Sequence, residues 1–305
     1  MRLLVIALVL ALPLVGQADA MKKEKVVASK SFVESPAIAE LRIRAEAGDS
    51  SSQVNLGKAY SNGKDVPKDQ SEAFKWYRKS AEQGNEVGQY LLGHSYHFGD
   101  GVEQDLQEAV HWYQKSSKQG FALAQTTLGN CYYQGWGVLK DFSESAKWFR
   151  MAADQGSVGA QIFLGLQYQE GQGVKQDFAE SVRWSRKAAE QGNASSQRRL
   201  GKSYYRGQGV VQDYEEAAKW FRKAADQGDP DAQLILGGCY KAGEGVPKDL
   251  SEAYVWISLS AVQGKQPALE LRDLMAQMLS SHALEQAQTR ARSLHEEIQT
   301  RIGRK

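Results

Sequence analysis

Across 305 residues the chain holds two cysteines, five histidines and almost no excess charge. Each shortage closes off a class of function. Cys131 and Cys239 both follow a repeated glycine by two residues and lie three sequence repeats apart. Helices pack about 8–10 Å apart, so three two-helix units would hold these thiols roughly 25 Å or more from one another. A disulfide needs Cα atoms within about 7 Å. Both are therefore expected to be free thiols in the core.

The 38 basic and 36 acidic residues leave a net charge of +2, a near-balance that argues against nucleic-acid binding. Long apolar runs are scarce too. One follows Arg2, from Leu3 to Val15, and leads into Gly16-Gln17-Ala18-Asp19-Ala20. It is shorter than the ~20 residues of a membrane span, and its Ala18-x-Ala20 ending suits signal peptidase. The expectation is a signal peptide over 1–20, cut after Ala20, and a periplasmic or secreted mature chain with no transmembrane segment. No cysteine follows the cut to carry a lipid anchor.

Catalytic motifs are missing as well. No Gly-x-Ser-x-Gly elbow occurs, and Gly201-Lys202-Ser203 has Ser196 where a phosphate loop needs its first glycine. Gly99-Asp100-Gly101 lacks a third glycine and joins two helices. His94 and His97 have no third ligand at a recognisable spacing. No cofactor or metal is expected.

What the chain does have is a period of 36 residues, written six times. A Leu-Gly glycine recurs at Gly57, Gly93, Gly129, Gly165, Gly201 and Gly237, and a tryptophan at Trp76, Trp112, Trp148, Trp184, Trp220 and Trp256. Such a period is the mark of a repeat solenoid. Each unit reads as two antiparallel helices. Asp49, Asn85, Ser157, Asn193 and Asp229 are expected to cap the first helix, with Phe121 as the exception. That helix carries Gln53, Leu56, Gly57 and Tyr60 on one face and ends at a glycine such as Gly63 or Gly99. A glycine inside the helix costs about 1 kcal/mol of propensity, so its six appearances imply a crossing with no room for a side chain. The second helix opens with Asp-x-x-Glu (Asp69 and Glu72, then five more pairs), a capping box in which Asp takes the N3 amide and Glu returns to the cap amide. Six copies speak against catalytic carboxylates. The tryptophans and the small residues around them are expected to pack between repeats.

The remaining segments follow from this frame. Residues 21–34 read as a flexible leader, and 35–48 as an N-terminal capping helix opened by Ser35-Pro36. Six repeats fill 49–264. Two capping helices over 265–300 follow, with Leu271, Leu274, Met275 and Met278 on the apolar face of one and Leu284, Ala287, Ala291, Leu294 and Ile298 on the other. A basic tail, 301–305, is expected to fray.

The unit Ala-x-x-Gln-x-x-Leu-Gly-x-x-Tyr-x-x-Gly-x-Gly-Val-x-x-Asp-x-x-x-Ala-x-x-Trp-x-x-x-Ala-Ala-x-Gln-Gly closely resembles the Sel1-like repeat, a relative of the tetratricopeptide repeat. The resemblance covers Asp49 to Gly264. It implies an all-α, right-handed α-solenoid that acts by binding protein, without catalysis, as an envelope adaptor or as an immunity protein neutralising a toxic effector such as a lipase. One cysteine-rich branch is linked to penicillins, which would make a peptidoglycan- or β-lactam-acting enzyme the alternative. That branch pairs cysteines within each repeat, and this chain does not.

Comparison of the six copies separates framework from freedom. Positions equivalent to Leu56 and Tyr60 repeat, while those equivalent to Val54, Asn55, Lys58, Ser61 and Asn62 vary, as a solvent-facing stripe would. In tetratricopeptide-like stacks this stripe lines the concave groove. Here it reads Tyr90, His94, His97 and Phe98 in the second unit, Tyr133 in the third and Phe163 in the fourth. Arg198, Arg199, Lys202, Tyr205 and Arg206 follow in the fifth, and Lys241 in the sixth. Tyr and Arg are favoured at binding hot spots, so a partner with an acidic or mixed surface is expected there. Trp136 stands where the other copies have Lys64, Asp100, Gln172, Gln208 and Glu244, and is expected to be at least partly exposed.

Overall fold

A computed structural model describes residues 35–303, which form fifteen helices and no strand. The expected signal peptide and leader lie outside the described residues, as do the last two residues of the tail. Helix α1 (Pro36–Glu46) precedes six pairs. The first helices are α2 (Ser50–Asn62), α4 (Glu86–Phe98), α6 (Ala122–Gln134), α8 (Val158–Glu170), α10 (Ala194–Arg206) and α12 (Pro230–Ala242). The second helices are α3 (Gln70–Glu82), α5 (Leu106–Lys118), α7 (Phe142–Asp154), α9 (Phe178–Glu190), α11 (Tyr214–Ala225) and α13 (Leu250–Val262), and α14 (Gln266–Met278) and α15 (Ser281–Gly303) close the array. Each first helix packs on the second helix of its own unit and on that of the unit before, and the result is an α-solenoid.

Local chemistry sets the helix ends. Asp49, Asn85, Ser157, Asn193 and Asp229 cap the first helices through their side chains, and Phe121 makes no cap bond. Asp69 and its five equivalents accept the N3 amide of each second helix. The reciprocal half of the capping box does not form. Each cap amide instead donates to the tyrosine carbonyl of its own first helix, as Asp69 does to Tyr60 and Asp249 to Tyr240, both at 2.9 Å. With that donor taken, Glu72, Glu144, Glu180 and Glu216 turn outward to Lys75, Lys147, Arg183 and Lys219. Glu252 reaches Arg290 of α15 at 2.9 Å.

Two glycine positions carry the inter-helix geometry. A methyl group at Gly57, Gly93, Gly129, Gly201 or Gly237 would lie 2.5–2.9 Å from Tyr77, Tyr113, Phe149, Phe221 or Ile257 of the facing second helix. Gly165 differs, because Ser185 replaces the large residue and leaves a nearest distance of 3.3 Å. In the loop, Gly101, Gly137, Gly173, Gly209 and Gly245 have positive φ, and a Cβ there would fall within 1.8–2.1 Å of a carbonyl in the preceding unit. The first unit has no repeat before it, and Asp65 takes this place at φ 57.

Trp76, Trp184, Trp220 and Trp256 are buried, and Trp112 and Trp148 pack half-buried against the same kind of core. Both cysteines are free and buried. Burial raises the Cys131 thiol to about 12 and the Cys239 thiol to about 11, which leaves both protonated and unreactive at neutral pH.

The caps differ in detail from the sequence pattern. Ile38, Leu41 and Ala45 form the inner face of α1. Met275 is buried in α14, whereas Leu274 and Met278 are about half exposed. Helix α15 continues beyond residue 300 instead of fraying: Ile298 is buried, and Arg301 Nη1 donates to the Asp226 carbonyl at 3.3 Å.

The glycine contrast yields a test within one molecule. Gly129→Ala should lower stability by about 1–3 kcal/mol through overpacking against Phe149. Gly165→Ala should cost clearly less, since Ser185 Oγ, the nearest atom at 3.3 Å, need give way by only a few tenths of an ångström and alanine favours the helix by about 1 kcal/mol. Urea midpoints of the two variants against the parent measure the difference.

Candidate protein-binding groove

The first helices form the inner row of the array, where α2 approaches α4 directly and α6 approaches α8. Their variable residues line one groove, but not as a uniform solvent-facing stripe. Val54 is buried at 5 % exposure. Tyr90 lies half-buried against Tyr113 and Phe121, with ring centroids 5.7 and 5.5 Å away. Phe163 stacks on Phe149 at 5.0 Å with the rings 5° from parallel. These residues fill the angle between a first helix and a second helix packed against it and present only an edge to the groove. Side chains a turn further along point outward: Phe98 is 60 % exposed and Arg206 is exposed.

Trp136 is 43 % exposed. It packs edge-on against His97 of the previous unit, centroids 5.3 Å apart. The same register recurs elsewhere, where Tyr133 donates to Gln172 at 3.0 Å and Tyr205 donates to Glu244. The Glu244 carboxylate pushes the Tyr205 phenol up to about 12. The penultimate residue of a first helix thus supports the loop of the following unit, and Trp136 is the aromatic form of that rung. His94 and His97 both stack on Phe98, at 4.5 and 4.6 Å. The N-terminal half of the groove is therefore a continuous aromatic and imidazole surface.

The C-terminal half is basic. Arg198 pairs with Asp229 at 3.0 Å and lies 3.7 Å from Asp231. Arg199, Lys202 and Arg206 line a cavity of about 360 Å³ with Arg198 and Ser181. Lys202 and Arg206 also border a neighbouring cavity of about 500 Å³, whose walls include Phe221, Ile235 and Glu244. Lys241 is half-buried at the far end of the row. Another cavity, about 340 Å³, lies outside the groove between α13, α14 and α15, with Arg272, Arg292, His295 and Glu296 of mixed charge around it.

Sequence comparison missed the aromatic residues that open the second helices. Phe142 packs on Tyr133 at 5.1 Å and Tyr214 on Tyr205 at 5.1 Å, each widening the groove wall. The signal was available in Phe142, Phe178 and Tyr214, each of which directly follows the capping aspartate of a second helix. Among the described residues no group of three His, Cys, Asp or Glu side chains could hold a metal, and no helix is long and apolar enough to cross a membrane.

The Sel1 repeat profile matches residues 50–85, 87–121, 122–157, 158–193, 194–229 and 230–265. The chain belongs to the Sel1 repeat family. The crystal structure of c5321, a protective antigen of uropathogenic Escherichia coli with an SLR fold, is 37% identical at a TM-score of 0.78. The match covers 87% of this chain but 58% of that one, so the present chain spans a little over half its length. A Sel1 repeat protein from Oxalobacter formigenes is 32% identical over 74% of this chain and 99% of its own, at a TM-score of 0.63. The Pseudomonas aeruginosa immunity protein Pa5087 is 19% identical over 75% of this chain and 83% of its own, with a TM-score of 0.38. No curated protein matches the chain. Sel1 repeats are in general a non-catalytic scaffold for protein–protein interaction.

In this Sel1 repeat protein the imidazole pair confers a pH response. Burial lowers the pKa of His94, opposed by Asp100. Burial, followed by repulsion from His94, lowers that of His97, whose Nδ1 is shielded and has no hydrogen-bond partner. The unfolded chain therefore binds protons at higher pH than the folded one. Stability is full above the ordinary histidine value of about 6.5 and is lost as pH falls through it toward the lowered folded values. The urea midpoint should drop between pH 7.5 and 5.5, and His94→Gln/His97→Gln should flatten that profile.

Proposed function

We propose that the chain is an exported, non-catalytic scaffold whose inner groove holds one protein partner with an acidic or mixed surface. The observation that carries this reading is the division of the groove. Within six copies of one framework, the variable side chains gather into an aromatic half around Trp136 and Phe98 and a basic half around Arg199, Lys202 and Arg206. Aromatic and arginine side chains supply most hot-spot energy in protein interfaces, and unpaired cations select for negative partners. Export rests on the Arg2 to Ala20 sequence, which places the partner in the periplasm or outside the cell. A partner held there could be one component of an envelope assembly or a toxic effector blocked by occupancy. The partner's own activity separates adaptor from immunity protein.

The test is affinity capture from the native envelope fraction with the mature chain and with a Trp136→Ala/Lys202→Gln/Arg206→Gln variant of unchanged helicity. A stoichiometric protein retained by the parent and lost by the variant is the expected result. Equal recovery by both would move the binding surface elsewhere. With the partner purified, Trp136→Ala alone should weaken binding by about 2 kcal/mol or more, read by titration calorimetry. Mass spectrometry of the exported protein should give Met21 as its first residue.

A further inference from the structure

The fourth repeat breaks the framework at one buried position. The residue after the tryptophan is Tyr77, Tyr113, Phe149, Phe221 or Ile257 in the other five copies and Ser185 in this one. Between the third and fourth units Phe163 of α8 stacks on Phe149 of α7. The register that pairs them places Arg199 over Ser185. Serine and arginine thus stand at the two positions that the aromatic pair holds one unit earlier. Its Nη1 is shielded from solvent and has no hydrogen-bond partner.

Nothing nearby neutralises it. Burial and the adjacent Arg198 both disfavour its charge, and Glu170, the carboxylate that opposes them, forms no ion pair with it. Arg198 is already committed to Asp229 and Asp231. Lys202 and Arg206, at successive turns from Arg198, form no ion pair among the described residues. Like charges at this spacing repel, and an unpartnered guanidinium nitrogen is costly. The cavity these three cations line, about 360 Å³, lies within the ~300–1,000 Å³ of small-ligand pockets. Across the ridge of Lys202 and Arg206 lies the second cavity, with Phe221 and Ile235 in its walls.

We propose that the cavity beside Arg199 is an anion pocket, in which Arg199 takes two oxygens of a carboxylate or phosphate group and Lys202 and Arg206 close on it. Guanidinium binds such groups in a planar, bidentate fashion. The adjoining cavity then receives an apolar neighbour of the anion, so the matching feature on a protein is an acidic side chain followed by an apolar one. This deepens the groove reading by naming the partner chemistry, and it is testable without the partner.

The full mature chain is titrated calorimetrically with inorganic phosphate, with N-acetyl-glutamyl-leucine amide and with its glutaminyl counterpart, at constant ionic strength. Saturable binding of the glutamyl probe and not the glutaminyl one assigns a carboxylate. Saturable binding of phosphate alone assigns a phosphoryl group. Either supports the pocket when Arg199→Gln weakens it at least tenfold and Lys219→Gln, at a surface pair outside the groove, does not. Ser185→Phe/Arg199→Phe, which rebuilds the stacked pair of Phe149 and Phe163, should abolish binding while raising the melting temperature. Binding by neither probe, or binding unchanged in both Arg199 variants, overturns the proposal. Partner capture that survives Arg199→Gln while the small anions bind would instead leave the pocket standing and fail the basic half of the groove reading.

Discussion

The solenoid depends on a buried glutamine. Gln53 and its equivalents Gln89, Gln125, Gln161, Gln197 and Gln233 each donate to a carbonyl eight residues back, at 2.9–3.3 Å, in the last turn of the preceding helix. Their side-chain oxygens each accept from the glutamine 30 residues ahead, from Gln83 to Gln263, at 2.7–2.9 Å. One amide thereby satisfies an orphan carbonyl of the previous unit and ties down the end of its own second helix. Removing it would strand the buried carbonyl, at about 1–3 kcal/mol, and release the more exposed glutamine 30 residues ahead from its acceptor. A leucine of similar size could fill the space but not the bonding. The apolar contacts around it, Leu56 and its five fully buried equivalents, hold the helices together; the glutamine sets which turn meets which.

Outside the core a second set of bonds repeats that register. Arg42, Arg78, Arg150, Arg186 and Arg222 each donate to the tyrosine hydroxyl 18 residues on, and Gln114 takes the same place in the third pair. Lysines at Lys79, Lys115, Lys187 and Lys223 cover the tryptophan three residues earlier at 3.9–4.3 Å. Both interactions are partly open to water and individually modest. Their value is in repetition, because in a stack each unit contacts only its neighbours and every interface must agree in angle.

Much of this was legible in the sequence because a six-fold repeat is its own comparison. Helix ends, the tight crossing at Gly57 and its equivalents and the free cysteines all follow from asking what a position tolerates in six copies. The glutamine role was not legible, although Gln53 and Gln83 repeat without fail. Periodicity marks a residue as required and says nothing of its partner 30 residues away. The capping box was misread for a related reason: the pattern Asp-x-x-Glu identifies two groups, but the cap amide had a nearer acceptor in the Tyr60 carbonyl. Depth was the other weakness. Tyr90, Phe163 and Arg199 vary like surface residues yet lie in the angle between two helices, since variation is also permitted where two positions change together.

That last case shows how a repeat array acquires function. Most positions are fixed by neighbours on both sides, and a change at Gly101 or Leu56 would disturb two interfaces. The sites free to diverge are those that face the groove and meet a single partner position, so that the two can change together. Ser185 and Arg199 are such a pair: they face each other across the packing of α9 on α10, in the places that the stacked Phe149 and Phe163 hold one unit earlier. The exchange trades an aromatic contact worth about 0.5–1.5 kcal/mol for a cavity and an unpartnered cation, a loss with no gain inside the folded chain. A framework kept intact in the other five copies and relinquished in one, at the point where three unpaired cations converge, locates the compensation outside the chain, in whatever the groove holds.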